Sequence, residues 1–108
     1  AKMGCYYNDR GHAKLTAMIA ERFGVTPAQV VIGEGSTEVL SAAALAWGRK
    51  GAILAPELFW DTTVQYAERQ GVKAIRVPLM GDMGVDLPAM AAALDETVSM
   101  VHICNPNN

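Results

Sequence analysis

Apolar positions along this chain alternate between a helical period and short, continuous β-type runs. From His12 to Phe23, Leu15, Met18, Ile19 and Phe23 recur at helical spacing, and Gly24 supplies a stop. Thr26-Pro27-Ala28-Gln29 fits a capping box with proline at the first helical position, which predicts a single turn. Val30-Val31-Ile32 is short, β-branched and closed by Gly33, and reads as a buried strand. Ser36 to Trp47 then reads as a helix with Val39, Leu40, Ala43, Ala44 and Trp47 on one side, broken by Gly48 and Gly51.

The unit repeats. Ala52 to Ala55 is a strand ending at Pro56, and Asp61 is placed to cap a helix running to Gln70, stopped by Gly71. Ala74 to Val77 is a third strand, ended by Pro78. A polar turn spans Gly81 to Gly84, and Asp86 caps a helix over Leu87 to Leu94. Val98 to Cys104 is a fourth strand, followed by Asn105-Pro106-Asn107-Asn108. Strands alternating with helices predict an α/β fold of three layers, α/β/α, around a mostly parallel sheet. No linker or low-complexity stretch interrupts the pattern, so residues 1–108 read as one domain.

Composition narrows the function. Of 108 residues, 51 % are apolar and 19 % charged, with a formal net charge of −2, which excludes a strongly basic nucleic-acid footprint and argues against disorder. No apolar run approaches the ~20 residues of a membrane span. Cys5 and Cys104 cannot make a secreted-type disulfide framework, so a cytoplasmic location is expected.

Ligands of parallel α/β sheets bind beyond the carboxyl ends of the strands, and three segments fall there. Gly33-Glu34-Gly35-Ser36-Thr37 joins a strand to a helix, with glycines for the tight turn and free N–H groups plus two hydroxyls at the helix start. That is a phosphate cradle, although a plain turn with Ser36 as N-cap explains the segment alone. Glu38 stands where a dinucleotide fingerprint needs its third glycine, and no Walker lysine is present. Pro56-Glu57-Leu58-Phe59-Trp60 puts two large aromatics at a strand end, able to stack on a flat ring or to cover the helix–sheet seam. Asn105 to Asn108 is an amide-rich turn, suited to holding a phenolic oxygen or a carboxylate.

In order and spacing, the three segments together resemble the aspartate-aminotransferase superfamily of pyridoxal-phosphate enzymes, and within it the histidinol-phosphate-aminotransferase-like branch. Asn105-Pro106-Asn107-Asn108 looks like the first four residues of the family's Asn-Pro-Asn-Asn-Pro-Thr-Gly signature. Gly35-Ser36-Thr37-Glu38 looks like its phosphate loop, and Tyr7-Asn8-Asp9 resembles its Tyr-Pro-Asp segment. The resemblance runs from the Tyr7 region to Asn108. It departs at Asn8, where proline is usual, and at Pro56 to Trp60, which is longer than the common Pro-Thr-Phe/Tyr form.

The resemblance implies pyridoxal 5'-phosphate as cofactor. Ser36 and Thr37 would hold its phosphate at the helix start, and Trp60 would stack on its ring, since counting back from Gly71 favours Trp60 over Phe59. Asn108 would donate to the ring's phenolic oxygen. Tyr7 would reach the phosphate of the partner subunit in a homodimer, with a packing tyrosine as the alternative role. Amino acids, or amino-acid phosphates, and 2-oxo acids would be the substrates. A lyase or decarboxylase of the same fold, or a non-catalytic phosphate- or dinucleotide-binding module, are the competing readings. His102, within a strand, reads as a core histidine; Met80 and Met83 suggest no chemistry.

The family's Schiff-base lysine lies well after the asparagine signature, and Lys2, Lys14, Lys50 and Lys73 match no such place. The expectation is therefore a partial cofactor-binding large domain, truncated at both ends, with no catalytic residue of its own. The family's sheet order, by chain order first, seventh, sixth, fifth, fourth, second, third, has a further consequence. Strands at 52–55, 74–77 and 98–104 should pair as one parallel patch, and the run at 30–32 should lack a neighbour.

Overall fold

The computed structural model describes residues 12–107, which fall into two compact units divided between Glu34 and Gly35. In the first, helix α1 (Ala13–Phe23) ends at Gly24, whose φ of 64° turns the chain so that its N–H meets the carbonyls of Ala20 and Glu21. A 3-10 turn follows at Pro27–Gln29. Gln29 Oε1 accepts from both the N–H (2.9 Å) and the hydroxyl (3.0 Å) of Thr26, which is the return half of the expected capping box.

The run Val30-Val31-Ile32 forms no strand, and Val31 is 73 % exposed. Reading it as a buried strand is corrected on physical grounds: β-branched residues favour extended backbone, but a strand needs a hydrogen-bonded neighbour, and among the described residues 30–32 has none.

The second unit contains α2 (Ser36–Gly48), β1 (Ala52–Pro56), α3 (Thr62–Arg69), β2 (Lys73–Val77), α4 (Leu87–Ala92) and β3 (Val98–Val101). All three strands are parallel in the order β2-β1-β3, the patch expected for the segments at 52, 74 and 98. Being central, β1 is buried at every position, as its unbroken apolar run requires. Alternation along it makes two cores. Ile53 and Ala55 pack with Ala44 of α2, Val64 and Ala67 of α3, and Val72. Leu54 packs on the opposite face with Val77 and with Met90 of α4. Three α/β/α layers result.

Several local expectations shift. Gly48 does not break α2 but closes it: a Cβ there would lie 2.9 Å from both Ile53 and Val72, so its lack of side chain lets the helix end settle on the sheet. The helix turns Ala44, Leu45 and Gly48 inward, leaving Trp47 53 % exposed. Asp86 caps α4 as expected, accepting from the Ala89 N–H at 2.8 Å. Asp61 makes no cap bond to α3. Its Oδ2 lies instead 3.1 Å from Arg76 of β2, and its Oδ1 accepts from the Gln65 side chain at 2.8 Å. Strand β3 ends at Val101, three residues sooner than expected, although the His102 N–H still reaches the Leu54 carbonyl at 2.9 Å.

Candidate functional site

The carboxyl ends of β1 and β3 carry two loops that hold each other. After β1, residues 57–61 lead into α3; after β3, residues 102–107 contain a cis Asn105–Pro106 bond. Between them the Trp60 N–H donates to Asn107 Oδ1 at 2.9 Å, a contact that bridges 47 residues of sequence.

The two aromatics of the first loop divide their roles. Phe59 turns inward, packs against the core beneath α2 and α3, and lies with its ring centroid 5.1 Å from the imidazole of His102. Trp60 remains 37 % exposed. It helps line a cavity of about 520 Å³ with Leu58, Phe59, Leu79, Met83 and Asn107. An apolar wall with one amide suits a flat ring that carries a few polar substituents.

Charge around the loop is fixed from β2. Arg76 bonds Glu68 at 2.8 Å and Asp61 at 3.1 Å. The hydrogen bond to Glu68 is the largest influence and raises the guanidinium above its usual pKa; burial, next in size, opposes it, and the charges of Glu68 and Asp61 add to the rise. His102 is buried, and burial pushes its imidazole below the usual value, with Asp61 pulling weakly the other way. A neutral ring therefore faces Phe59, as a core histidine should.

The start of α2 is the third part. Gly35 is the N-cap with φ 84° and ψ 172°, a conformation that strains any side chain, and it has no side chain of its own to cap the helix. Ser36 and Thr37 are its exposed first residues. Ser36 is thus the first helical residue rather than the cap, and the N-cap glycine contributes no side chain to the first-turn N–H groups. Tyr7 and Asn108 lie outside the described residues. Sequence reasoning did not anticipate the roles of Arg76, Asp61, Asn107 and Met83. Only Asn107 carried a signal, as part of the amide-rich turn.

The second unit is a three-layer parallel α/β unit with a helix start and an exposed aromatic in its loops. The chain belongs to the aminotransferase class I and II family, whose model matches residues 3–108. It is 34 % identical over 105 residues to an aromatic amino acid aminotransferase of Rhodococcus opacus (strain B4), covering 94 % of this chain and 29 % of that protein. With histidinol-phosphate aminotransferase 2 of Ralstonia nicotianae it shares 36 % identity over 104 residues, covering 94 % of this chain and 27 % of the other. A crystal structure of an Erwinia carotovora atroseptica protein assigned as a histidinol-phosphate aminotransferase superposes with a TM-score of 0.82 at 24 % identity. That match covers 95 % of this chain and 31 % of that structure, and shows the shared fold. The chain spans less than a third of the length of these relatives.

The family depends on pyridoxal phosphate, and the described residues fit it. Gly35 opens onto space in which an added Cβ would meet no atom within 4 Å, so an anion can approach the backbone at the α2 start closely. The exposed Trp60 offers a face for the ring. Among the described residues no group of acidic, histidine or cysteine side chains could hold a metal ion, and no helix is long and apolar enough to cross a membrane.

Proposed function

We propose that this chain is part of the cofactor-binding large domain of an aminotransferase, one that moves an amino group between an amino acid, or an amino-acid phosphate, and a 2-oxo acid. The observation that carries the reading is the family match over residues 3–108, joined to a glycine-led α2 start with exposed Ser36 and Thr37 and an exposed Trp60. Relatives named for aromatic amino acids and for histidinol phosphate favour a donor that bears a ring.

Pyridoxal phosphate, when bound, supplies the electron sink for the reaction. Ser36, Thr37 and the N–H groups of the first α2 turn bind its phosphate, where the helix dipole favours negative charge. Trp60 stacks on the ring and sets the plane against which the substrate is oriented. Asn108 donates to the phenolic oxygen, and Tyr7 reaches the phosphate site of the partner subunit in a homodimer. The Schiff-base lysine lies downstream in the complete protein, which works in the cytoplasm. Product analysis of the full-length protein with pyridoxal phosphate, a panel of amino acids and a 2-oxo acid tests this. Amino-group transfer to the 2-oxo acid is expected; its absence across a broad panel would sink the reading.

A further inference from the structure

Trp60 sits in a loop without regular structure, and a stacking ring orients its ligand only if the backbone beneath it is held. Three contacts, one from β2 and two from the segment after β3, hold this loop. His102, just beyond β3, packs on Phe59 at 5.1 Å. Arg76 of β2 fixes Asp61 at 3.1 Å. Asn107 alone of these acts on Trp60 itself, through its Oδ1 on the Trp60 N–H at 2.9 Å. Asn107 also directly precedes Asn108 in the chain.

We propose that Asn107 is a positioning residue: by accepting the Trp60 N–H, it locks the loop that presents the stacking ring to the loop that presents Asn108. The inference rests on the reading of Trp60 as the stacking residue. The ring's face and its phenolic oxygen are then approached by two loops that move as one, so the plane and the rotation of the cofactor are set together. Because the Asn107–Trp60 bond is exposed, its loss leaves the N–H to water. The expected damage is therefore to orientation and affinity rather than to folding.

The test uses the full-length protein, freed of cofactor and titrated with pyridoxal phosphate, in the variants Asn107→Ala, Asn107→Asp and Trp60→Ala. Affinity, the circular dichroism induced in the bound cofactor, and the thermal midpoint of the cofactor-free protein are measured. Asn107→Ala should weaken binding about three- to tenfold, roughly one net hydrogen bond, and diminish the induced dichroism with little change in midpoint. Asn107→Asp keeps an acceptor oxygen at the same place and should restore the dichroism. If Trp60→Ala loses both signals while Asn107→Ala keeps them, the role of Asn107 is refuted and that of Trp60 stands. If Asn107→Asp behaves like Asn107→Ala, the acceptor is not the cause and the proposal is equally refuted. A Trp60→Ala variant with unchanged affinity and dichroism would instead overturn the stacking reading on which the inference depends.

Discussion

The ring of Phe59 lies 5.1 Å from the imidazole of His102, tilted by 47°, and joins the loop after β1 to the segment just beyond β3. Burial holds this imidazole below its usual pKa, so the folded chain takes up a proton there less readily than the unfolded one. A base with a lowered folded pKa stabilises fully above its unfolded value, about 6.5. That contribution is lost as the pH falls through and below it. Thermal unfolding of the full-length protein should show the midpoint dropping between pH 7 and 5, and His102→Phe should flatten that part of the profile. An unchanged slope in the variant would assign the acid sensitivity to other groups.

Phe59 and Trp60 should separate cleanly on substitution. Phe59→Ala empties a half-buried site against the core and should cost about 2 kcal/mol of stability. Trp60→Ala should leave stability nearly unchanged and weaken pyridoxal phosphate binding about tenfold through lost stacking. Chemical denaturation and cofactor titration of both variants check this. The opposite pattern would mean that Phe59 is the stacking residue.

Gly51 approaches the segment at Thr97–Ser99 so closely that an added Cβ would run into the Thr97 carbonyl and lie 3.1 Å from Ser99 Oγ. That Ser99 hydroxyl donates to the Trp47 carbonyl at 2.7 Å, at the register shift between β1 and β3. Gly51→Ala should therefore destabilise by about 2 kcal/mol or more, since rigid backbone must move. Denaturation midpoints measure it, and a neutral result would contradict the packing described.

Thr63 is fully buried in the first turn of α3, and its hydroxyl has no hydrogen-bond partner among the described residues. A buried unpaired hydroxyl carries a desolvation cost, and valine has nearly the same shape. Thr63→Val should raise the stability of the full-length protein by about 1 kcal/mol. A clear loss of stability would mean that the hydroxyl is satisfied in the complete protein.

In the 108-residue chain itself, amide hydrogens at Val31 and Ile32 should exchange quickly while those of Ile53, Leu54 and Ala55 are protected, because only the latter belong to a sheet. The chain alone should unfold without a sharp transition. Protection at Val31 and Ile32, together with a cooperative transition in a monomeric sample, would contradict the absence of strand pairing there.

The elements were legible where pattern and local chemistry agreed. The periodicity of α1, the continuous apolar run of β1 and the Asp86 cap of α4 all appear where the sequence places them. Val30 to Ile32 was misread as a strand because propensity reports how residues fit a sheet, not whether a neighbour exists. Asp61 reads as a cap in one dimension, yet Arg76, fifteen positions on in the numbering, reaches it across the β1–β2 pair. The same limit hid Asn107: spacing placed it in a turn, whereas its partner Trp60 comes from a loop 47 residues earlier. Gly48 misled differently, as a stop signal whose role is close packing.

The central claim is that the start of α2 holds the phosphate of a cofactor whose ring lies on Trp60. The most direct measurement compares binding of pyridoxal phosphate and of pyridoxal, which lacks the phosphate, to the cofactor-free full-length protein and to its Ser36→Ala/Thr37→Val double variant. The native protein should strongly prefer the phosphorylated form, and the double variant should lose about tenfold or more of that preference while binding pyridoxal as before. An undiminished preference in the variant would contradict the assignment of Ser36 and Thr37 as the phosphate cradle.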